Sequence, residues 1–482
     1  MQEKIQVERA DSILTERMLT ADYERTLHNL RLKIKDLSEK KQRNLRYHIT
    51  TYGCLMNEHD SEKLRGILEC VGYQQAEKEE EADIVLYNTC AIRDGAEQKV
   101  YGRLGYLKTI KRKRQDILIA LCGCMTQQKT VLERLKKTYS HVDIIFGTHN
   151  IYMFAELLTA RLESGEQIID IWEKHQEIVE DLPIIRDNPY KASVNIMYGC
   201  NNFCAFCIVP FVRGRERSRP SADIVAEVEK LVAEGVVEIM LLGQNVNSYG
   251  RGLEEGINFT GLLRKLEQVE GLKRLRFMTS HPKDLSDELV EFIGQSQKLC
   301  PQFHLPMQSG SDKVLKEMNR NYTREHFMGL VRKLRQAKPD IAISTDIIVG
   351  FPGETEEDFV QTLEVAEEAE FDMAYTFIYS PRTGTKAAAR EDQIPEEVSK
   401  ERFGRLLKVV NQNIHKKSVA LLDTIQPVLA EAIGENGKLR GRLNNNHLIH
   451  FDGDESLLGK IVDVKIVKAR TFYLMGELIN HG

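Results

Sequence analysis

Between residues 46 and 165, short apolar runs rich in β-branched residues alternate with amphipathic stretches of helical period. This alternation predicts a parallel sheet with helices on its faces, because each apolar strand has to be covered on both sides. We therefore predict an N-terminal α/β domain over residues 46–165. Its strands are predicted at 46–52, 82–87, 116–121 and 141–146.

The pattern changes again in the second half of the chain. Residues 190–416 repeat the strand–helix alternation and predict six β/α units. From 417 to 482 the pattern turns β-rich, which predicts a small barrel of oligonucleotide-binding character or, alternatively, a barrel with only a structural role. The β/α strands are predicted at 193–198, 238–242, 274–279, 302–306, 342–349 and 374–379, and the barrel strands at 426–433, 438–443, 448–451, 460–469 and 472–478.

Two polar segments lie outside the predicted domains of this α/β protein. Residues 1–45 form a highly charged N-terminal extension, which is either helical or a poorly ordered terminus. Residues 166–189 hold the lone Trp172 and an acidic run, and they are predicted to be an inter-domain linker.

Composition narrows the functional classes. The 482 residues carry a net charge of −5, so any contact with RNA has to come from local basic patches. The sequence shows neither a long apolar run nor a signal-peptide stretch at its N-terminus, so we expect a cytoplasmic protein without a membrane partner. Nine cysteines in such a chain suggest metal or redox chemistry rather than disulfides.

Three of the cysteines lie in one loop with C-x3-C-x2-C spacing, Cys200, Cys204 and Cys207. Three thiolates this close can hold one iron–sulfur cluster, and they leave one iron open for another ligand. A zinc knuckle lacking a ligand is the alternative, but zinc sites prefer paired C-x2-C spacings with a fourth Cys or His.

A second set of three cysteines is far apart in the sequence, but the predicted sheet topology brings them together. Cys54, Cys90 and Cys124 each follow a predicted strand of the N-terminal sheet. The loops after parallel strands emerge at one edge, so we expect the three thiols to converge there as a second cluster site, again one ligand short. Three unrelated thiols at strand ends are the alternative. Cys122 and Cys70 are expected in the core.

Polar loops with glycine follow the predicted β/α strands. Glycine allows close backbone approach to a ligand, and amides and carboxylates can bind a nucleoside and an amino acid. The candidate cofactor-binding residues in these loops and strand ends are Gly243, Gln244, Asn245, Ser280, Gln308, Ser309, Asp346, Gly350 and Glu354.

The C-x3-C-x2-C motif, with an aromatic residue directly before its last cysteine, resembles the signature of the radical S-adenosylmethionine (SAM) enzymes. Together with the segments 51–62 and 88–99 and the three-part organisation, it resembles the methylthiotransferase family of those enzymes, in the branch that modifies tRNA. The resemblance covers about residues 45–482. Leu55 and the charged extension are the departures, and neither affects a cysteine of the two triplets.

The resemblance implies a partial (β/α)6 radical SAM barrel, a C-terminal TRAM domain and two 4Fe–4S clusters. Cys200, Cys204 and Cys207 would hold the cluster that binds SAM and yields a 5′-deoxyadenosyl radical. Cys54, Cys90 and Cys124 would hold an auxiliary cluster that carries the sulfur, and no other catalytic residue is implied. Such chemistry suits an aromatic C–H bond that a side-chain base cannot activate.

The implied transferase substrate is N6-isopentenyl-adenosine next to the anticodon (tRNA position 37), which gains a methylthio group at C2. A base in a single-stranded loop leaves its stack more easily than a base in a duplex. The implied partners are this tRNA, a reduced flavodoxin- or ferredoxin-type electron donor and a sulfur source.

Two basic segments are candidate contacts for tRNA phosphates. One is 111–114, for which a solvated basic face is the alternative. The other follows the first cysteine triplet and comprises Arg213, Arg215, Arg217 and Arg219.

Two rival functions remain at this point. A methylthiotransferase acting on a ribosomal-protein aspartate would share both clusters and differ around Cys54 and Cys90. A non-catalytic iron–sulfur RNA-binding sensor would not need the polar loops that could bind a cofactor.

Overall fold

The computed structural model forms two compact units. The first comprises residues 1–187 and 208–215, and the second comprises 188–207 and 216–482. The structure describes residues 16–91, 94–172, 179–180, 182–434 and 437–479. The start of the predicted extension (1–15) and part of the predicted linker (173–178 and 181) lie outside the described residues.

A six-stranded parallel sheet organises the first unit, with strand order β2-β1-β3-β4-β5-β6. Its central strand is buried along its whole length because helices cover both faces. The strands are β1 Arg46–Thr51, β2 Gln74–Gln75, β3 Ile84–Thr89, β4 Leu118–Gly123, β5 Ile144–Phe146 and β6 Ile168–Asp170. The helices are α1 Glu16–Lys41, α2 Leu55–Cys70, α3 Asp94–Lys113, α4 Lys129–Thr138, α5 Phe154–Ser164 and the short α6 Val209–Val212.

Two predictions change in this unit. Ile168 pairs in parallel with Ile144, so the predicted linker begins with the sixth strand of the sheet. The predicted extension contributes a 26-residue helix, α1. Leu27, Leu30 and Ile34 lie on one face of α1 and are buried in the same core as β1 and α5, so the described part of the extension belongs to the first unit.

Six parallel strands form the core of the second unit, in two sheets of order β11-β10-β7 and β12-β13-β14. They match the six predicted β/α units. The six strands are β7 Lys191–Asn195, β10 Glu238–Leu242, β11 Arg274–Phe277, β12 Gln302–His304, β13 Ala342–Val349 and β14 Met373–Ile378. Two short strands, β8 Met197–Tyr198 and β9 Arg217–Ser218, form a separate antiparallel pair. The helices are α7 Ser221–Ala233, α8 Phe259–Glu267, α9 Asp287–Gln295, α10 Asp312–Glu317, α11 Arg324–Ala337, α12 Glu356–Ala369 and α13 Glu396–Val419.

A closed five-stranded barrel follows in the same unit, with strand order β15-β16-β17-β19-β18. Closure requires close backbone approach: a Cβ on Gly441 would lie 2.4 Å from the Leu429 carbonyl oxygen. The barrel strands are β15 Ile425–Ile433, β16 Leu439–Leu443, β17 Leu448–Phe451, β18 Ile461–Ala469 and β19 Leu474–Leu478.

Two buried arginines attach this barrel to the β/α strands. Arg274 donates to the carbonyl oxygens of Arg442 and Pro427, each at 2.9 Å. Arg276 donates to those of Leu443 and Asn444, at 2.9 and 2.8 Å. Four backbone acceptors in the barrel therefore depend on two side chains of one strand, β11.

In the part of the chain that the structure describes, no helix is both long enough and apolar enough to cross a bilayer.

Candidate functional site

The cysteine triplet of the second unit occupies a tight loop after β8. Cys200 and Cys204 are buried, and Cys207 is half-buried. The backbone N–H of Cys207 donates to the Cys204 carbonyl at 3.0 Å, and Phe203 adopts a positive φ of 47°. Burial, followed by the neighbouring Cys204 thiol, raises the pKa of Cys200 to about 11.

A buried arginine faces this loop. Arg320 Nη1 lies 3.5 Å from Cys204 Sγ. Its other nitrogens donate to the neutral oxygens of Tyr322 and Pro306, at 3.1 and 3.0 Å. Among the described residues, this guanidinium is held by neutral groups and a thiol. It therefore offers positive charge to a thiolate, so the loop suits an anionic cluster.

Unpartnered polar atoms lie after β10 and β11, near the predicted cofactor-binding loops. Asn245 Oδ1, both side-chain polar atoms of Asn247 and His281 Nε2 are buried without a hydrogen-bond partner among the described residues. His281 Nδ1 accepts from the Lys283 backbone N–H, and burial, followed by the charges of Arg320 and Lys283, lowers the pKa of His281 to about 2. A neutral imidazole and two amides are therefore available to a polar ligand.

Several predicted cofactor-binding residues also hold the protein's own loops, and their contact with a cofactor stays a prediction. Ser309 Oγ accepts from the Ser311 N–H and lies 3.2 Å from Thr362 Oγ1. Glu354 accepts from the Gly350 N–H at 2.8 Å and from Arg402 at 3.0 Å.

Of the remaining cofactor-binding candidates, Ser280 Oγ donates to the His304 carbonyl, and the Gln308 N–H donates to the Asp346 carbonyl. Gly243 is required by packing, since a Cβ would lie 2.6 Å from Met197 Cγ. Gln244 is half-buried in the same loop.

The second triplet lies at the carboxyl edge of the first unit's sheet. Cys54, Cys90 and Cys124 follow β1, β3 and β4, which are direct neighbours in the sheet. Cys90 and Cys124 are buried and Cys54 is half-buried. Burial raises the pKa of Cys124 to about 11, Arg213 opposes this rise, and Cys54 and Cys90 reinforce it. The thiols of Cys54 and Cys90 therefore lie close enough to Cys124 to affect its ionisation.

Among the described residues, no three His, Cys, Asp or Glu side chains converge closely enough to hold a single metal ion. This finding gives no support to the zinc alternative. A cluster places each cysteine on a different iron, so its ligands are spread more widely than those of one ion.

Backbone geometry brings two of these cysteine loops into close contact. Gly123 precedes Cys124 with a φ of 99°, and a Cβ there would lie 2.3 Å from the Thr89 carbonyl oxygen. Asn57 Nδ2 donates to Asn88 Oδ1 at 2.9 Å, next to the Cys90 loop. Sequence reasoning missed Asn57, although its position three residues after Cys54 on the first turn of α2 was a possible signal.

The predicted phosphate-binding arginines fall into two groups. Arg213 and Arg219 are buried, in ion pairs with Asp60 at 2.9 Å and Glu227 at 2.7 Å. Each guanidinium is therefore engaged inside its own unit, and phosphate contact by Arg213 and Arg219 stays a prediction. Arg215 is exposed, and half-buried Arg217 lies over the Tyr198 ring.

The other predicted basic segment, 111–114, is partly engaged in ion pairs. Lys111 pairs with Asp143, and Arg114 lies 3.6 Å from Asp83. Arg112 and Lys113 are exposed, so phosphate binding by this segment stays a prediction.

Three stretches of the chain match known families. Residues 194–366 match the Radical SAM superfamily, residues 46–147 match the uncharacterized protein family UPF0004, and residues 423–479 match the TRAM domain. The chain is 53% identical over 449 residues to a tRNA-2-methylthio-N(6)-dimethylallyladenosine synthase of Lachnoclostridium phytofermentans, covering 93% of this chain and 98% of the relative. The chain belongs to the family of these synthases.

Other members of the synthase family match over similar lengths. The protein of this name from Alkaliphilus oremlandii is 53% identical, with 91% of this chain and 93% of the relative covered. The one from Thermoanaerobacter pseudethanolicus is 52% identical, with 92% and 95% covered.

One solved structure shows the same fold at low identity. The radical SAM methyltransferase TsrM from Kitasatospora setae superposes with a TM-score of 0.51 and 16% identity, covering 72% of this chain and 75% of that chain. The predicted radical SAM fold is thereby confirmed, and membership of the superfamily implies a 4Fe–4S cluster and SAM.

Proposed function

We propose that this protein is a tRNA methylthiotransferase that converts N6-isopentenyl-adenosine at position 37, next to the anticodon, into its 2-methylthio derivative by radical SAM chemistry. The observation that carries the proposal is identity above 50% to synthases of this name over about nine-tenths of the chain. The matches to the Radical SAM superfamily and to UPF0004 include the strands and loops that present the two cysteine triplets.

Two 4Fe–4S clusters form part of the proposal. Cys200, Cys204 and Cys207 would hold the cluster that binds SAM, and Cys54, Cys90 and Cys124 would hold the auxiliary cluster. When bound, these groups supply the one-electron and sulfur chemistry that no side chain provides. The burial of Cys90, Cys124, Cys200 and Cys204 supports this assignment. Neighbouring cysteines raise the pKa of Cys200 and of Cys124, which places other thiols of each triplet close by.

The chain's own polar groups would bind and orient SAM. Asn245, Asn247 and His281 supply hydrogen-bonding groups that have no partner among the described residues. Burying such groups without a partner is unfavourable, so a polar ligand that engages them would be held in one orientation.

The C-terminal barrel has a surface that suits single-stranded RNA. Cross-strand pairing places Arg440, His450, Met475 and Lys468 side by side over four strands. The Tyr473 ring packs edge-on against His450, and the adjacent Phe472 is 56% exposed. Aromatic rings flanked by cations stack bases and bind phosphates, so we include Phe472 and Tyr473 among the tRNA contacts.

Arg215 and Arg217 remain proposed phosphate contacts. A reduced flavodoxin- or ferredoxin-type electron donor, a sulfur source and a cytoplasmic location complete the proposal.

Nucleoside mass spectrometry tests the proposal. The reconstituted protein is incubated anaerobically with SAM, a reductant and tRNA that carries isopentenyl-adenosine. The expected product is methylthio-isopentenyl-adenosine. Methylthiolation of a ribosomal-protein aspartate instead would identify the rival enzyme, and RNA binding without any turnover would identify the sensor.

A further inference from the structure

A buried arginine lies beside the cysteine triplet of the first unit. Arg213 belongs to the segment 208–215 of that unit, and it is only 5% exposed. Its Nη2 donates to Asp60 Oδ2 at 2.9 Å, and Asp60 is itself 3% exposed. Removing two charges from water costs free energy that their mutual attraction often does not recover. A buried ion pair is therefore weak evidence that the two residues serve only to stabilise the fold.

The guanidinium contacts two of the three cysteine loops. Arg213 Nε lies 3.3 Å from Cys124 Sγ, and Arg213 Nη2 lies 3.4 Å from Asn57 Oδ1. The same Asn57 oxygen accepts from Cys54 Sγ at 3.4 Å. One cation therefore contacts one thiol directly and a second thiol through an amide oxygen.

The third loop joins the same network. Asn57 Nδ2 donates to the Thr89 carbonyl at 3.2 Å, and Thr89 directly precedes Cys90. Buried polar networks of this kind orient the groups that they connect, as the partners of metal ligands do in other proteins. The network therefore fixes all three loops relative to Arg213.

The charge on Arg213 would act on a cluster bound by these three cysteines. An arginine guanidinium stays protonated in proteins, so Arg213 brings a fixed positive charge to this site, 2.9 Å from the carboxylate of Asp60. The reduction potential of an iron–sulfur cluster depends on the net charge around it and on hydrogen bonds to its sulfurs.

We propose that Arg213 is a positioning residue of the auxiliary cluster: it orients Cys124 and raises the reduction potential of the cluster, while Asp60 orients Arg213 and limits that rise. This inference rests on the proposed assignment of Cys54, Cys90 and Cys124 as cluster ligands. Because the two partners carry opposite charges, their neutralisation has to shift the potential in opposite directions.

The test measures the auxiliary cluster alone. A full-length parent carrying Cys200→Ala, Cys204→Ala and Cys207→Ala keeps only the first unit's triplet. After anaerobic reconstitution it should bind about four iron atoms per chain. The midpoint potential is then measured by dithionite titration, monitored by electron paramagnetic resonance.

Two substitutions are compared in this parent. Arg213→Met removes the positive charge and the N–H donor, so the potential should become more negative. Asp60→Asn keeps an acceptor for Arg213 but removes the negative charge, so the potential should become more positive. The matched control is Arg161→Met, which removes a pair with Asp143 (2.7 Å) in the same unit and should leave the potential unchanged.

Each outcome decides a separate point. Shifts of the same sign in both variants, or no shift beyond that of the control, would overturn the inference. Failure of Arg213→Met alone to bind iron would support its orienting role, and the Asp60→Asn titration would then decide the effect on potential. A parent that binds no iron would instead refute the auxiliary cluster of the proposed function, and the inference with it.

Discussion

Substitution of Glu238 by glutamine should loosen the C-terminal barrel. Glu238 lies at the start of β10 and is 1% exposed. Its carboxylate lies 3.0 Å from Arg276 Nε, 3.3 Å from Lys191 Nζ and 3.7 Å from Arg274 Nη1. Arg274 and Arg276 are the residues that bind the barrel carbonyls, so Glu238 supports that attachment.

The magnitude follows from the pKa of Glu238. Burial opposes its ionisation, but Arg276, Lys191 and Arg274 outweigh burial and lower the pKa from 4.5 to about 2. At ~1.4 kcal/mol per pKa unit, this depression corresponds to about 3 kcal/mol. Glutamine would leave two buried guanidinium groups without their carboxylate, so we expect a loss of this order.

The pH dependence has a definite sign. Because the folded-state pKa is lowered, the stabilisation is fully present above about pH 4.5 and is lost as the pH falls towards 2. The Glu238→Gln variant should lack this component at every pH. The difference between the two proteins should therefore shrink on acidification.

Native-state hydrogen exchange, followed by mass spectrometry, measures the effect. A loss of about 3 kcal/mol should accelerate exchange of the β15 and β16 amides by about two orders of magnitude. Glu364→Gln is the control, because it breaks an exposed pair with Arg324 of small expected value. Equal barrel exchange in the two variants would refute the reasoning.

Two further predictions concern RNA binding and the auxiliary site. Phe472→Ala or Tyr473→Ala should weaken tRNA binding, measured anaerobically, by about five- to a hundredfold, because stacking contributes about 1–3 kcal/mol per base. The control is Leu32→Ala, which truncates an exposed leucine on α1. If the aromatic variants bound tRNA as tightly as this control, the prediction would be wrong. Gly123→Ala should lower iron bound by the first unit's triplet, because a Cβ would lie 2.3 Å from the Thr89 carbonyl oxygen at a positive φ. The control is Gly105→Ala, because a Cβ at Gly105 would have no atom within 4 Å. Equal iron content in the two variants would contradict the claim that the Gly123 backbone shapes the cluster site.

Most of the fold could be predicted because parallel strands are buried on both faces and form continuous apolar runs. The strand at 238–242 and the strand at 342–349 coincide with the observed β10 and β13. The three-residue strand Ile168–Asp170 was missed, because so short a run has no period of its own. The sequence did not decide whether the extension forms a helix, because α1 turns only about one apolar residue per turn towards the core.

The candidate site, like the fold, could be predicted only in part from the sequence. Topology predicted that Cys54, Cys90 and Cys124 lie at one sheet edge, because parallel strands fix where their loops emerge. It could not predict that Arg213 pairs with Asp60, since the two are 153 residues apart and a basic motif gives no indication of burial. Nor could it predict that Glu354 pairs with Arg402, which comes from a later helix.

The most direct test of the proposed function is a single anaerobic reaction analysed for 5′-deoxyadenosine and for methylthio-isopentenyl-adenosine. Wild-type protein should form both, and replacement of Cys200, Cys204 and Cys207 by alanine should abolish both. Replacement of Cys54, Cys90 and Cys124 by alanine should leave cleavage of SAM to 5′-deoxyadenosine but eliminate the methylthio product. Formation of the methylthio product by that variant would contradict the assignment of the first unit's triplet to the auxiliary cluster.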